Sequence, residues 1–148
     1  MNIHPTQAIP SSFRDQSGYI FKHEHEFYRA VNEVYRSHYQ HLMNSGLYEK
    51  LTKKRILIEH TEIEQHATDP VIILKPTQLR SISYVWEWSF SMLQDAALCT
   101  LENALLALDA DMILKDANTF NIQFLNGAPL LIDTLSFERY VEGESWIA

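Results

Sequence analysis

The sequence is poor in the residues that staple small folds and in those that make a surface basic. Its one cysteine, Cys99, excludes an internal disulfide and the thiolate-rich zinc sites. Four glycines in 148 residues leave Gly18 standing alone, so no glycine-rich loop can cradle phosphates. Twelve lysines and arginines against nineteen aspartates and glutamates give a net charge of -7, which argues against a surface built for nucleic acid or anionic lipid. No stretch approaches the ~20 apolar residues of a membrane span. The opening MNIHPTQAIP lacks the basic start and apolar run of a secretory signal. What the chain does have is 46% hydrophobic and 21% charged residues, enough for an ordinary globular domain with its own core. The expectation is a cytoplasmic protein in a reducing compartment, with neither nucleic acid nor membrane as partner.

Residues 1–17 carry two prolines and several Ser, Thr and Gln, and predict an irregular lead; 18–148 read as one α+β domain. GYIFK, a polar HEHE and FYRAV predict a hairpin from Gly18. Asn32 is placed to cap a helix whose apolar positions, among them Val34, Tyr35, Tyr39 and Leu42, recur until Ser45 and Gly46; LYEKLTKK continues as a second helical piece. Lys53, Lys54 and Arg55 suit the C-terminal end of that helix. Ile56, Ile58 and the alternation after them predict a strand, separated by a turn at HATDP from the apolar strand VIILKP. In SISYVWEWS, Tyr84, Trp86 and Trp88 alternate as on one face of an extended segment. Phe90 to Leu108, free of Gly and Pro and preceded by Ser89 as a cap, is the clearest helix. Asn126-Gly127 between IQF and LLID predicts a closing β-hairpin.

Around that hairpin stand Asp116, Asn121 and Asp133. Asp and Asn favour turns and strand ends by bonding the local backbone, so a structural role is the plain alternative. The order is nevertheless informative. A long helix, a D-x-x-x-x-N loop, a strand pair and a terminal aspartate form the layout of the catalytic loop and metal segment of protein kinases, which this region resembles. The resemblance implies Asp116 as catalytic base, Asn121 and Asp133 as ligands of Mg2+, and ATP or GTP as nucleotide. Leu114-Lys115-Asp116 replaces the usual His-Arg-Asp, and Asp133-Thr134-Leu135 the usual Asp-Phe-Gly. Arg29 and Lys75 are candidates for the phosphate-pairing cation, Glu33 for its helix partner, and Tyr84 and Trp86 for the nucleotide pocket. The implied fold is α+β, a protein-kinase-like fragment with antiparallel strand pairs, one long helix and a C-terminal β-hairpin.

IPSSFRDQSGYIF, FYRAVN, HYQHLMNSGLYEKL, YVWEWSFSMLQDAALCTL and LKDANTFNIQFLNGAPLLIDTLSFE together resemble the N-terminal region of a bacterial family of SAM-dependent methyltransferases, some called nodulation-related proteins. In that family the methyltransferase portion lies further downstream, and YVEGESWIA stops before it could begin. SAM is not expected to bind this chain alone, for it shows no strand running into a glycine-rich turn. The rival function is a noncatalytic regulatory or interaction domain that holds a protein partner, for example a methyltransferase domain, through Tyr84, Trp86 and Trp88.

The histidine pairs His23 with His25, sharing a face if that segment stays extended, and His38 with His41, at i and i+3 of a helix, offer two ligands each without a clear third. Cys99, among apolar residues, reads as a buried, inert thiol.

Overall fold

The computed structural model describes residues 15–63 and 72–146. The turn expected at HATDP lies outside them, as does most of the irregular lead. The fold is α+β, with antiparallel strand pairs, one long helix and a C-terminal hairpin. Contacts divide the described residues into two compact units, one drawn from Met1–Ser37 and Glu59–Gln78, the other from His38–Ile58 and Leu79–Ala148.

The first unit is a four-stranded antiparallel sheet. Strands β1 (Gly18–His23) and β2 (Glu26–Val31) form the expected hairpin, and β3 (His60–Ile63) and β4 (Ile72–Pro76) complete the order β1-β2-β4-β3. Phe21 opposes Tyr28 in register and stacks on it at 5.6 Å, forming a small core with Ala30 and Ile73. Glu24 and His25 turn the chain with positive φ, 47° and 71°. The extended segment that would have set His23 and His25 on one face therefore does not exist.

Helix α1 (Arg36–Asn44), which belongs to the second unit from His38 on, and α2 (Leu47–Lys53) are separated at Gly46, whose φ of 77° ends the first helix. Asn32 precedes a single 3-10 turn, Glu33–Tyr35, and does not cap it by its side chain; its amide donates to the Gln16 carbonyl at 3.0 Å. Val34, counted in the apolar pattern, is exposed, whereas Tyr35, Tyr39 and Leu42 are buried. Helix α3 (Phe90–Leu108) begins where expected, with Ser89 Oγ accepting from the Met92 N–H.

The expected strand pair forms from the later residues, His60–Ile63 with Ile72–Pro76, while Ile56 to Ile58 lie outside it. They run parallel to Leu131, donating from the Ile58 N–H to the Leu131 carbonyl at 2.8 Å and accepting at the Ile56 carbonyl from the Leu131 N–H at 2.9 Å. Asn103 on α3 donates to the same Ile56 carbonyl at 3.1 Å. Cys99 is buried beside it, and burial pushes its thiol up to about 11, so the thiolate needed for reactivity is suppressed.

Strand β5 (Met112–Leu114) pairs with β8 (Phe137–Arg139), and β6 (Ile122–Leu125) with β7 (Ala128–Leu131). Asn126 and Gly127 carry φ of 54° and 80°, as the mirror-image hairpin turn requires. A Cβ on Gly127 meets nothing within 4 Å, so the cost of adding one is purely conformational. Gly127→Ala is expected to lower stability by about 1 kcal/mol, read as a reduced urea midpoint at unchanged slope.

Candidate functional site

The open end of the β6–β7 hairpin brings Asn121 and Asp133 together. Beyond the last registered pair, Ile122 with Leu131, the Ile132 N–H still donates to the Asn121 carbonyl at 2.7 Å. The aspartate follows directly. Leu114 opposes Phe137 where β5 meets β8, and the Lys115 N–H donates to the Ser136 carbonyl at 2.8 Å, so the loop that starts at Asp116 is tied to the turn that follows Asp133.

Each polar side chain also serves its own loop. Asp116 Oδ1 accepts from the Asn118 N–H at 3.1 Å, and Asn118 Oδ1 from the Phe120 N–H at 3.0 Å. Asp133 Oδ1 accepts from the Leu135 N–H at 2.9 Å and starts the 3-10 turn Thr134–Ser136. These are the local bonds for which Asp and Asn are suited. Asn121 is different: its amide nitrogen is buried without a hydrogen-bond partner. An amide placed with its oxygen and nitrogen exchanged fits the same outline, so the buried position is equally a place for an oxygen donor.

Oxygen donors of this kind match Mg2+, which takes one or two protein oxygens and completes its shell with phosphate and water. Among the described residues no three His, Cys, Asp or Glu side chains gather to hold a metal. The histidine pair on α1 is engaged otherwise. His38 Nδ1 accepts from the Arg139 N–H at 2.9 Å, while His41 lies between Arg139 Nη2 at 3.1 Å and the Ala110 carbonyl at 2.9 Å.

The aromatic stripe is not extended. Val85–Glu87 form a 3-10 turn, which sends Trp86 outward, 72% exposed, and Trp88 inward, 8% exposed. Trp88 packs edge-on against Phe124 and donates to Ser83 Oγ at 2.9 Å. It is a core residue and cannot hold a partner. Gln123 on β6 clasps the Ser83 backbone, accepting from its N–H and donating to its carbonyl, both at 2.9 Å. The clasp fixes the start of the turn. Tyr84 and Trp86 then stack nearly parallel, with ring centroids 4.7 Å apart and 3° between their planes, and Trp86 meets Phe120 at 6.5 Å. Phe120 directly precedes Asn121, so these exposed rings sit beside the polar end of the hairpin. The signal for Phe120 in the sequence is an aromatic residue inside the D-x-x-x-x-N spacing.

Arg29 and Lys75 belong to the first unit, on neighbouring strands. Arg29 opposes Leu74, so Lys75, one residue on, lies on the other face of the sheet. One ligand can engage only one of the two. Arg29 pairs with Asp15 at 3.3 Å and Lys75 with Glu26 at 2.7 Å; that hydrogen bond raises the lysine above its usual value and lowers the glutamate. Glu33 pairs with Arg36.

No family model matches the chain. It is 30% identical, over 143 residues, to nodulation protein NoeA of Rhizobium meliloti (strain 1021), an alignment that covers 93% of this chain and 30% of that protein. Among the described residues no helix is long and apolar enough to cross a membrane. The chain thus spans about 30% of the length of the curated relative it matches, and its likeness to a nodulation protein runs through nearly all of its own length.

Proposed function

We propose that this chain is a kinase-like module that binds ATP or GTP with Mg2+ through Asn121 and Asp133, with Asp116 placed to take the proton of an acceptor hydroxyl. One observation carries it. The strand leaving the long helix pairs with the strand after Asp133, and between them lie the Asp116 loop and the hairpin, at whose open end the Ile132 N–H, one residue before Asp133, bonds the Asn121 carbonyl. The partnerless buried amide atom of Asn121 supports a ligand at that position. A bound Mg2+ neutralises phosphate charge there. Asp116 and Asp133 each hold one oxygen to the backbone, which leaves their loops pre-set and limits the entropy lost on binding. The exposed stack of Tyr84 and Trp86 offers a flat face to a base.

Calorimetry on the folded chain, with each nucleotide and with or without Mg2+, is the test. Binding is expected only with the metal. Asp133→Asn keeps an acceptor for the Leu135 N–H and removes the charge; it and Asn121→Ala are each expected to weaken binding roughly tenfold or more, because charge-assisted contacts are worth about 1.5–3 kcal/mol. No binding of either nucleotide by folded wild-type protein would sink the proposal. The same exposed rings favour the second reading, a noncatalytic domain that holds a protein partner through Tyr84 and Trp86.

A further inference from the structure

Helix α3 is built inside out for the unit that contains it. Its buried positions are Ala96, Cys99, Asn103 and Ala107, none of them large. Its exposed side carries Phe90 at 82%, Leu98 at 57%, Leu101 at 50%, Leu105 at 65% and Leu108 at 48%. With 3.6 residues per turn these five fall within about 80° of the helix circumference, and Leu93 widens the stripe to about 140°. An ordinary surface helix has the reverse arrangement, and a helix that is apolar all round belongs in the middle of a core. The only charged residues in its nineteen are Asp95 and Glu102, and Glu102 pairs with Lys54 at 2.8 Å. The core that would cover the outer side is not supplied by the described residues.

The likeness to NoeA supplies a candidate, since 70% of that protein lies outside the alignment. We propose that the outer face of α3 is the docking surface for polypeptide equivalent to the part of the nodulation relative outside the matched 143 residues. Two other occupants fit less well. A second copy of the chain, meeting this helix about a two-fold axis, would cover a narrow seam and leave the flanking leucines wet. An anionic lipid surface calls for an excess of basic residues beside the apolar stripe, whereas Lys54 and Lys50 are matched by Glu102 and Asp109, and Asp95 adds a further negative charge on the helix. The occupant is a broad apolar layer.

Leu101→Glu with Leu105→Glu in this chain, and glutamate at the two aligned positions of full-length NoeA, make the test. In this chain the pair is expected to leave the thermal midpoint within about 2 °C of wild type, because both sites face solvent. In NoeA it is expected to lower the midpoint by about 5 °C or more, by burying two unpaired charges. Alanine at the same positions gives a graded version should the glutamates leave NoeA unfolded: neutral here, destabilising there. Neutrality in both proteins overturns the proposal. So does self-association of this chain, seen by light scattering and abolished by the glutamates, which would make a second copy the occupant.

Discussion

Replacing Leu131 with alanine is expected to lower the free energy of unfolding by about 3–4 kcal/mol. The side chain is fully buried in the second unit's core, and α3 packs against the strand that carries it. The backbone of Leu131 bonds in both directions to Ile56 and Ile58, so the strand cannot easily shift to fill the void. A domain of this size has roughly 5–15 kcal/mol to lose, and the substitution removes a large share. Leu131 also ends the last registered pair before Asn121 and Asp133, so loosening it disturbs the spacing of the candidate ligands. Urea titration should show a reduced midpoint at unchanged slope, and nucleotide binding with Mg2+ should weaken more than the unfolded fraction explains. A loss below about 1 kcal/mol would mean that the hairpin is not anchored to α3 as described.

What could be read from the residues was what neighbouring residues decide. The Gly18 hairpin, the Ser89 cap and the Asn126-Gly127 turn each depend on a few adjacent side chains and φ angles, and all three appear in the structure. Where the outcome depended on distant partners, the pattern misled. Tyr84, Trp86 and Trp88 alternate, but the clasp from Gln123, forty residues away, and the buried indole of Trp88 bend the segment into a turn. Ile56 and Ile58 show the strand composition that was recognised, yet their partner is Leu131, more than seventy residues on. Asn32 is a good cap by type but bonds back to Gln16 instead. The candidate site divides the same way. The spacing of Asp116 and Asn121 was visible, whereas the bonds from Asp116 and Asp133 to their own loops and the buried amide of Asn121 exist only once the chain has folded.

Mild acid should destabilise the first unit through His60. Burial pushes His60, on β3, down to about 4 from an ordinary 6.5. A histidine depressed in the folded state is neutral there while the unfolded chain already binds a proton, so its effect is absent above pH 6.5 and grows as pH falls toward 4. A shift of about 2.5 units corresponds to about 3 kcal/mol in full, of which about 2 kcal/mol is lost by pH 5. His38, on α1, is lowered too, first by burial, with Lys115, Arg139 and His41 adding to the effect and Glu138 opposing it. Its protonation would also remove the acceptor for the Arg139 N–H, so both histidines act in the same direction. The measurement is urea unfolding at pH 7, 6, 5 and 4.5 for wild type and His60→Gln. Wild-type stability should fall steadily below pH 6.5, and the variant should be flatter across that window at some fixed cost in packing. Equal slopes in the two proteins would show that His60 takes up its proton in the folded chain as readily as in the unfolded one.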